Sequence, residues 1–391
     1  MEPSTIQKLR ADTPGTEHCI HLNNAGASLP PQVVTQGMLE YLAMEAQLGG
    51  YEVADARAEE LAGFYTSVAR LINAKAHNIA FAGSATDAYA RALSAIPLQS
   101  GDVILTTAND YVSNQIAFLA LEKHRGIRVV RARDTVAGGV DIDDFEKLLK
   151  KWRPKLAAVT HVPTNSGLVQ PVAAIGQICR AENTWYLVDA CQSAGQLGLD
   201  VEAVGCDFLS ATMRKFMRGP RGGGFLFASD RVLEAGLEMA IPDMRSADWT
   251  GPDTYATGPS ARRFEYWEMA PAIVLGSKLA AEYALQIGLD QIETRVKHLA
   301  DFARDQLRQV PGMQLLDDGV QLCGIVTAYN PDWQQETLLE KLRARHINCR
   351  LTSRKVAQID FARKGVDWAL RISPHYYNTE AEIQQAVEVL R

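Results

Sequence analysis

Asp207-Phe208-Leu209-Ser210-Ala211-Thr212-Met213-Arg214-Lys215-Phe216-Met217-Arg218-Gly219-Pro220-Arg221-Gly222-Gly223-Gly224 is the stretch whose reading decides the fold. A short apolar strand runs into hydroxyls, one lysine among arginines, then a Gly/Pro turn and a second apolar run, Phe225-Leu226-Phe227-Ala228. Ser210 and Thr212 can hold an anion through hydroxyls, and Arg214 through its planar guanidinium fork. Lys215, crowded by Arg214, Arg218 and Arg221, is expected to have a lowered pKa, because like charges disfavour the protonated form. An uncharged lysine is a nucleophile suited to Schiff-base chemistry. The competing reading is a solvated basic loop between two strands.

The residues upstream favour chemistry. Trp185-Tyr186-Leu187-Val188-Asp189 is an apolar strand ending on a carboxylate, and Gln192 follows three positions later. In a parallel α/β sheet, functional groups gather beyond the carboxyl ends of the strands. A carboxylate there can pair with a protonated pyridine nitrogen, which is what makes pyridoxal 5'-phosphate an electron sink. The interval from Asp189 to Lys215 leaves room for one connection and one further strand, enough to bring both side chains to a single crevice.

With these residues together, the chain resembles the fold-type I pyridoxal-phosphate enzymes of the class V aminotransferase and cysteine desulfurase group. The resemblance runs from Leu22-Asn23-Asn24-Ala25-Gly26 to Arg371-Ile372-Ser373-Pro374-His375-Tyr376-Tyr377-Asn378-Thr379. It implies an α/β fold, with a large domain built on a mainly parallel, mixed seven-stranded sheet and a smaller α+β C-terminal domain. The expected division is an N-terminal arm at 1–20, a large domain at 21–290 and a small domain at 291–391, to which the N-terminal segment contributes. It further implies a Schiff base between the cofactor and Lys215, with Asp189 on the pyridine nitrogen and Gln192 on the phenolic oxygen.

Other site residues follow along the chain. The Asn23-Asn24-Ala25-Gly26 turn lies near the substrate in that family, which points to Asn24; a capping loop is the alternative. Gly83-Ser84-Ala85-Thr86 opens a helix after the strand Asn78–Ala82, and its free amides and hydroxyls suit an anion at the positive helix end. The family places the cofactor phosphate there, on Ala85 and Thr86, with Thr212 and Arg214 from the lysine stretch; a plain helix cap at Ser84 or Thr86 is the alternative. Asn109-Asp110-Tyr111-Val112-Ser113-Asn114 matches the Glu-His-x-x-Asn of cysteine desulfurases, putting Tyr111 where a histidine stacks on the cofactor ring. A tyrosine stacks as well, but it titrates near pH 10 and shuttles protons poorly at neutral pH; a core tyrosine is the alternative.

In His161-Val162-Pro163-Thr164-Asn165-Ser166-Gly167, the resemblance puts Thr164 facing the phenolic oxygen and substrate, with Asn165 also apt. His161 reads as a packed strand-end histidine rather than a base. Arg371, ending the strand Trp368-Ala369-Leu370, matches the arginine that clamps the substrate carboxylate, a task suited to a bidentate guanidinium. Arg221 is a further candidate for the substrate, and Arg214, Arg218, Arg221, Arg262 and Arg263 could together admit an extra anionic group. Trp267 stands where desulfurases carry a Gly-Thr that reaches the phosphate across a dimer. The run Arg262-Arg263-Phe264-Glu265-Tyr266-Trp267-Glu268 is closer to lyase-like members such as hercynylcysteine sulfoxide lyases. Gly251 to Arg263 reads as a mobile loop.

Desulfurases also need a persulfide-forming cysteine shortly before the arginine strand. Leu351-Thr352-Ser353-Arg354-Lys355-Val356-Ala357 has none, and Cys349 lies earlier. The expectation is therefore a lyase that abstracts the α-proton and eliminates a β-substituent by C–S cleavage. An aminotransferase or epimerase is the alternative, and a non-catalytic protein of the same fold the bland one.

Bulk properties narrow the class. The 391 residues suit one large domain with a smaller partner. A net charge of −6 gives no reason to expect nucleic-acid binding. Six scattered cysteines without a C-x-x-C pair argue against a disulfide scaffold or structural zinc, and suit a reducing cytoplasm. No apolar run approaches the roughly 20 residues of a membrane span. The expected partners are a small amino-acid substrate and a second copy of the chain, with the active site at the homodimer interface.

Overall fold

The computed structural model describes all residues, 1–391. Seven strands form the main sheet: β1 Ile79–Ala82, β2 Val103–Thr107, β3 Arg128–Ala132, β4 Leu156–Thr160, β5 Trp185–Asp189, β6 Phe208–Thr212 and β7 Gly224–Ala228. Their order is β1-β7-β6-β5-β4-β2-β3. β7 runs antiparallel to both β1 and β6, and the other pairs are parallel. This is the mixed, mainly parallel sheet expected from the sequence. The strands are apolar without alternation because helices cover both faces. One face packs through Leu105, Tyr186, Val188, Leu209 and Phe225 into the larger core. The other buries Ile104, Leu187, Phe208 and Leu226 against the helix Ala85–Ala95 and Phe264.

A second sheet contains β8 Gln314–Leu315, β9 Val326–Tyr329, β10 Arg350–Ser353 and β11 Trp368–Ile372, in the antiparallel order β8-β9-β11-β10. The helices Leu289–Arg308 and Glu380–Glu388 pack on it around Leu299, Val326, Leu370 and Ile383. The last helix starts with a reciprocal capping box between Thr379 and Glu382. The chain's beginning is tied to this region. Ile20–His21 pairs in parallel with Ile347–Asn348, and Asn23 bridges to Ser373. No single helix is long and apolar enough to cross a bilayer.

Two local readings change. Residues 3–11 form a helix, begun by Pro3 and anchored where Arg10 pairs with Glu382; the polar arm hides a helix because its core contact comes chiefly from Leu9. The stretch taken as a mobile loop after Gly251 is instead half a hairpin, Ala247–Gly251 against Thr254–Thr257, turning at Pro252-Asp253. Its Gly and Pro mark a tight turn rather than freedom.

Candidate active site

The carboxyl ends of β4, β5 and β6 bring the principal candidates into one place. Thr160, Asp189 and Ser210 are register partners across the three strands, so their side chains line one face. Asp189 is buried and accepts from Asn114 Nδ2 at 3.1 Å and from the backbone N–H of Cys191 at 2.9 Å. The same Asn114 amide reaches Asp110 at 3.2 Å. Asp110 is itself buried and accepts from Thr106, Gln115 and Thr160, and burial raises its pKa despite these bonds. The Asp189 carboxylate is thus held from behind by a network that the strand pattern alone could not reveal.

Lys215 follows β6 on a tight turn closed by Arg218 N–H to Lys215 C=O (2.9 Å) and Gly219 N–H to Met213 C=O (2.7 Å). Its amine is buried, has no hydrogen-bond or ion-pair partner, and lies 5.8 Å from the centre of the Tyr111 ring. Its pKa is lowered as expected, but the leading cause differs. Burial comes first, while Arg214 and Arg371 add repulsion and Asp189 and Cys191 oppose it. Arg218 plays no such part. It is fully buried with φ +58°, donates to Leu29 C=O, Tyr376 Oη and Thr13 Oγ1 at 2.6–2.9 Å, and lies over the Tyr377 ring. It anchors the lysine turn from below. Arg221 is exposed beside a surface cavity of about 420 Å³.

Below this turn, His375 is fixed as the neutral Nε2–H tautomer, because its Nδ1 accepts the Tyr376 N–H (2.9 Å) while Nε2 donates to Phe216 C=O (2.7 Å). Burial and Arg218 both lower its pKa.

The phosphate candidates sit where β1 turns into the helix Ala85–Ala95. Ser84 caps that helix by accepting from Asp87 N–H at 3.1 Å, leaving the amides of Ala85 and Thr86 at the open end. The adjoining strand comes very near: a Cβ on Gly224 would stand 2.8 Å from Ala211 O and 2.9 Å from Ala85 N. Only glycine permits that approach. Thr212 adjoins this end but leans its hydroxyl toward Gly223 C=O at 3.4 Å.

Gln192 donates to Thr164 Oγ1 at 2.8 Å and to Ala25 C=O at 3.1 Å, leaving its buried Oε1 unpartnered. Thr164 in turn accepts from Arg371 NH1 at 2.8 Å, and its carbonyl accepts from the same nitrogen at 2.9 Å. Arg371 NH2 donates to Asn23 Oδ1 at 3.1 Å. Arg371 is therefore a buried cation, its Nε bare, with no carboxylate against it; burial pulls its pKa down to about 10.

Several candidates stand elsewhere. Asn24 is saturated by Ser373 C=O, His21 C=O and the Tyr377 hydroxyl, so its neighbour Asn23 is the asparagine that meets Arg371. Asn165 donates to Asp360 at 2.9 Å and ties its loop to the helix Gln358–Lys364. Trp267 is 46% exposed and lines a groove of about 720 Å³ with Tyr51, Tyr65 and Arg245, away from Lys215 within this chain. Arg262 leans on the buried Glu265, and Arg263 caps backbone carbonyls of Leu233, Leu237 and Gly258. Asn23 and Asp110 carry no expectation from the sequence, whereas Asn114 stands at the asparagine of the Glu-His-x-x-Asn pattern.

The residues fit a pyridine phosphate. There is a buried carboxylate for a ring nitrogen, an aromatic face, a helix amino end cleared by Gly224 for a phosphate, and an unpaired amine among them. The aminotransferase class-V family profile matches residues 20–386. Over 98% of this chain and 97% of its own length, a probable cysteine desulfurase of Methanothermobacter thermautotrophicus is 27% identical. Among solved structures, the apo cysteine desulfurase of Thermococcus onnurineus superposes with a TM-score of 0.89 at 24% identity, covering 98% of this chain and 96% of that one. A cystine C–S lyase, C-DES, solved with its product cysteine persulfide, gives 0.86 at 21% identity, over 97% and 98%.

Proposed function

The chain belongs to the aminotransferase class-V family, and on that premise we propose that it is a pyridoxal-phosphate enzyme that eliminates a β-substituent from a small amino acid by C–S cleavage. One observation carries the reading: a buried amine without a partner, Lys215, lies within electrostatic reach of Asp189 and of a buried guanidinium, Arg371, that no acid neutralises.

In this reading Asp189, fixed by Asn114 and the Cys191 amide, would hold the protonated pyridine nitrogen of the cofactor. Tyr111 would cover the ring, Gln192 and Thr164 would meet its phenolic oxygen, and Ala85, Thr86, Thr212 and Arg214 would hold the phosphate. When bound, the cofactor supplies the electron sink for the pair left at the substrate's α-carbon. Arg371 takes the α-carboxylate and orients the Cα–H bond. Lys215 Nζ, its pKa lowered chiefly by burial, receives that proton.

Loss of a leaving group from the β-carbon is favoured over desulfuration by the state of the thiols. The segment Arg350–Ala357 carries no cysteine. All six thiols have raised pKa values, including Cys349, pushed up to about 12 by burial. A persulfide mechanism needs a thiolate as attacking group. Transamination and epimerisation share the proton-abstraction step and are the second reading. A non-catalytic binding protein gives no reason to bury an unpaired amine.

The working assembly in this proposal is a cytoplasmic homodimer with a large domain at 21–290 and a small one at 291–391. Exposed Leu39, Leu48, Tyr51 and Met244 support such a face, across which Trp267 would approach the partner's phosphate.

The test is chemical. Borohydride reduction of protein supplied with pyridoxal phosphate should fix the cofactor on the peptide containing Lys215. In a separate assay, unreduced protein loaded with pyridoxal phosphate should release pyruvate from S-substituted cysteines without a keto-acid acceptor. Labelling elsewhere sinks the enzyme reading, and strict dependence on an acceptor replaces the lyase by an aminotransferase.

A further inference from the structure

Arg350 of β10 and Arg371 of β11 stand directly opposite each other. Opposite residues in an antiparallel pair project to the same face with Cβ atoms about 4.5–5.5 Å apart, and like charges so placed destabilise the sheet. No acid relieves them. Neither joins an ion pair, whereas the nearby Arg354 and Arg363 are matched to Asp367 and to Asp318 and Asp360. Arg350 and Arg214 are the charges that bear on Arg371, and both oppose its own. Arg371 is the buried member, committed through NH1 and NH2 to Thr164 and Asn23 with Nε bare, and Arg350 is the exposed one.

Of the cations that the sequence offered for an additional anion, Arg218 is engaged with Thr13 and Tyr376, Arg262 with Glu265 and Arg263 with carbonyls, while Arg221 is exposed beside the surface cavity formed with Pro30, Val34 and Met38 and does not bear on Arg371. Arg214 is held by the Gly26 carbonyl. An amino acid bound by its α-carboxylate satisfies Arg371 and leaves Arg350 unmatched.

We propose that the substrate carries a second anionic group on its side chain, a carboxylate, sulfinate or sulfonate, and that Arg350 binds it and sets the specificity. This rests on the reading above, in which Arg371 takes the α-carboxylate. The side-chain acid then lies between the two guanidinium groups and the reacting β-carbon, and the repulsion across β10 and β11 becomes attraction to a ligand with two charges.

The experiment titrates the cofactor-loaded protein with L-cysteine sulfinate, L-cysteate and L-alanine, reading dissociation constants from the change in visible absorption. The wild type should bind the two dianionic probes about tenfold more tightly than L-alanine. Arg350→Gln should erase that advantage and change L-alanine binding less than twofold, with Arg350→Lys intermediate. Equal affinities in the wild type, or an equal loss for all three probes in Arg350→Gln, overturn the proposal. Arg371→Met separates the two levels: it should weaken all three probes, and if L-alanine binds it unchanged, the carboxylate assignment fails and this inference with it.

Discussion

Arg371→Met is the substitution that separates a functional arginine from a structural one. Burial draws this guanidinium down to about 10, so keeping it charged at neutral pH costs about 3 kcal/mol. Against that stand three hydrogen bonds, two to Thr164 and one to Asn23, each contributing about 1 kcal/mol. The terms nearly cancel. An apolar side chain of similar length should therefore leave the unliganded protein within about 1 kcal/mol of the wild type, as when buried charges give way to hydrophobic residues elsewhere. The substrate side does not cancel. Losing a bidentate, charge-assisted grip on a carboxylate costs about 3–4 kcal/mol, a fall in kcat/KM of about 10²- to 10³-fold. Urea denaturation of the variant gives the first quantity and pyruvate release from an S-substituted cysteine the second. A loss of several kcal/mol in stability, with folded variant turning over at the wild-type kcat/KM, would refute the assignment and make Arg371 a fold-holding residue.

Two further outcomes are expected. Gly224→Ala should weaken pyridoxal-phosphate binding at least tenfold, because its methyl would meet backbone atoms of Ala211, Ser84 and Ala85 that cannot yield separately; cofactor titration of the folded apoprotein, monitored by absorbance, checks this, and an unchanged affinity removes the phosphate from that helix end. His161 is buried with Nδ1 unpartnered and its pKa lowered to about 4. Its preference for the neutral form adds stability that is complete above pH 6.5 and is lost as pH falls toward 4. Between pH 7 and pH 5 it should account for about 2 kcal/mol of the decline, which His161→Leu should abolish. Urea midpoints at the two pH values decide, and an identical decline in the variant defeats the argument. His375, whose pKa burial and Arg218 lower, adds to acid sensitivity in the same direction and remains in the variant.

Much of the fold is carried by local signals. Unbroken apolar strands between helical segments dictate a covered parallel sheet, and the Gly-Pro-x-Gly-Gly-Gly run after Lys215 dictates the reversal that makes β7 antiparallel. The same locality marked Lys215 and Asp189 as candidates, since each ends a strand of the main sheet or lies in the loop just beyond one, whereas Gln192 and Arg371 took their roles from the family resemblance.

What no local pattern carries is which neighbour uses up a polar group. Asn23 and Asn24 look interchangeable in sequence. The alternation of the chain against Ser373 and Tyr377 buries one and aims the other at Arg371. Arg218 resembles the other basic residues around Lys215, yet the tyrosines of a segment some 160 residues away enclose it. The low proton affinity of Lys215 follows from burial, a property of the packed molecule, more than from the arginines beside it in the chain. Sequence alone determined the strands, their order of chemistry and the residues at their ends, because those depend on neighbours in the chain. Tertiary structure alone decided which charges remain unpaired, because pairing across β10 and β11 depends on register, and register is set by the packing of the whole sheet.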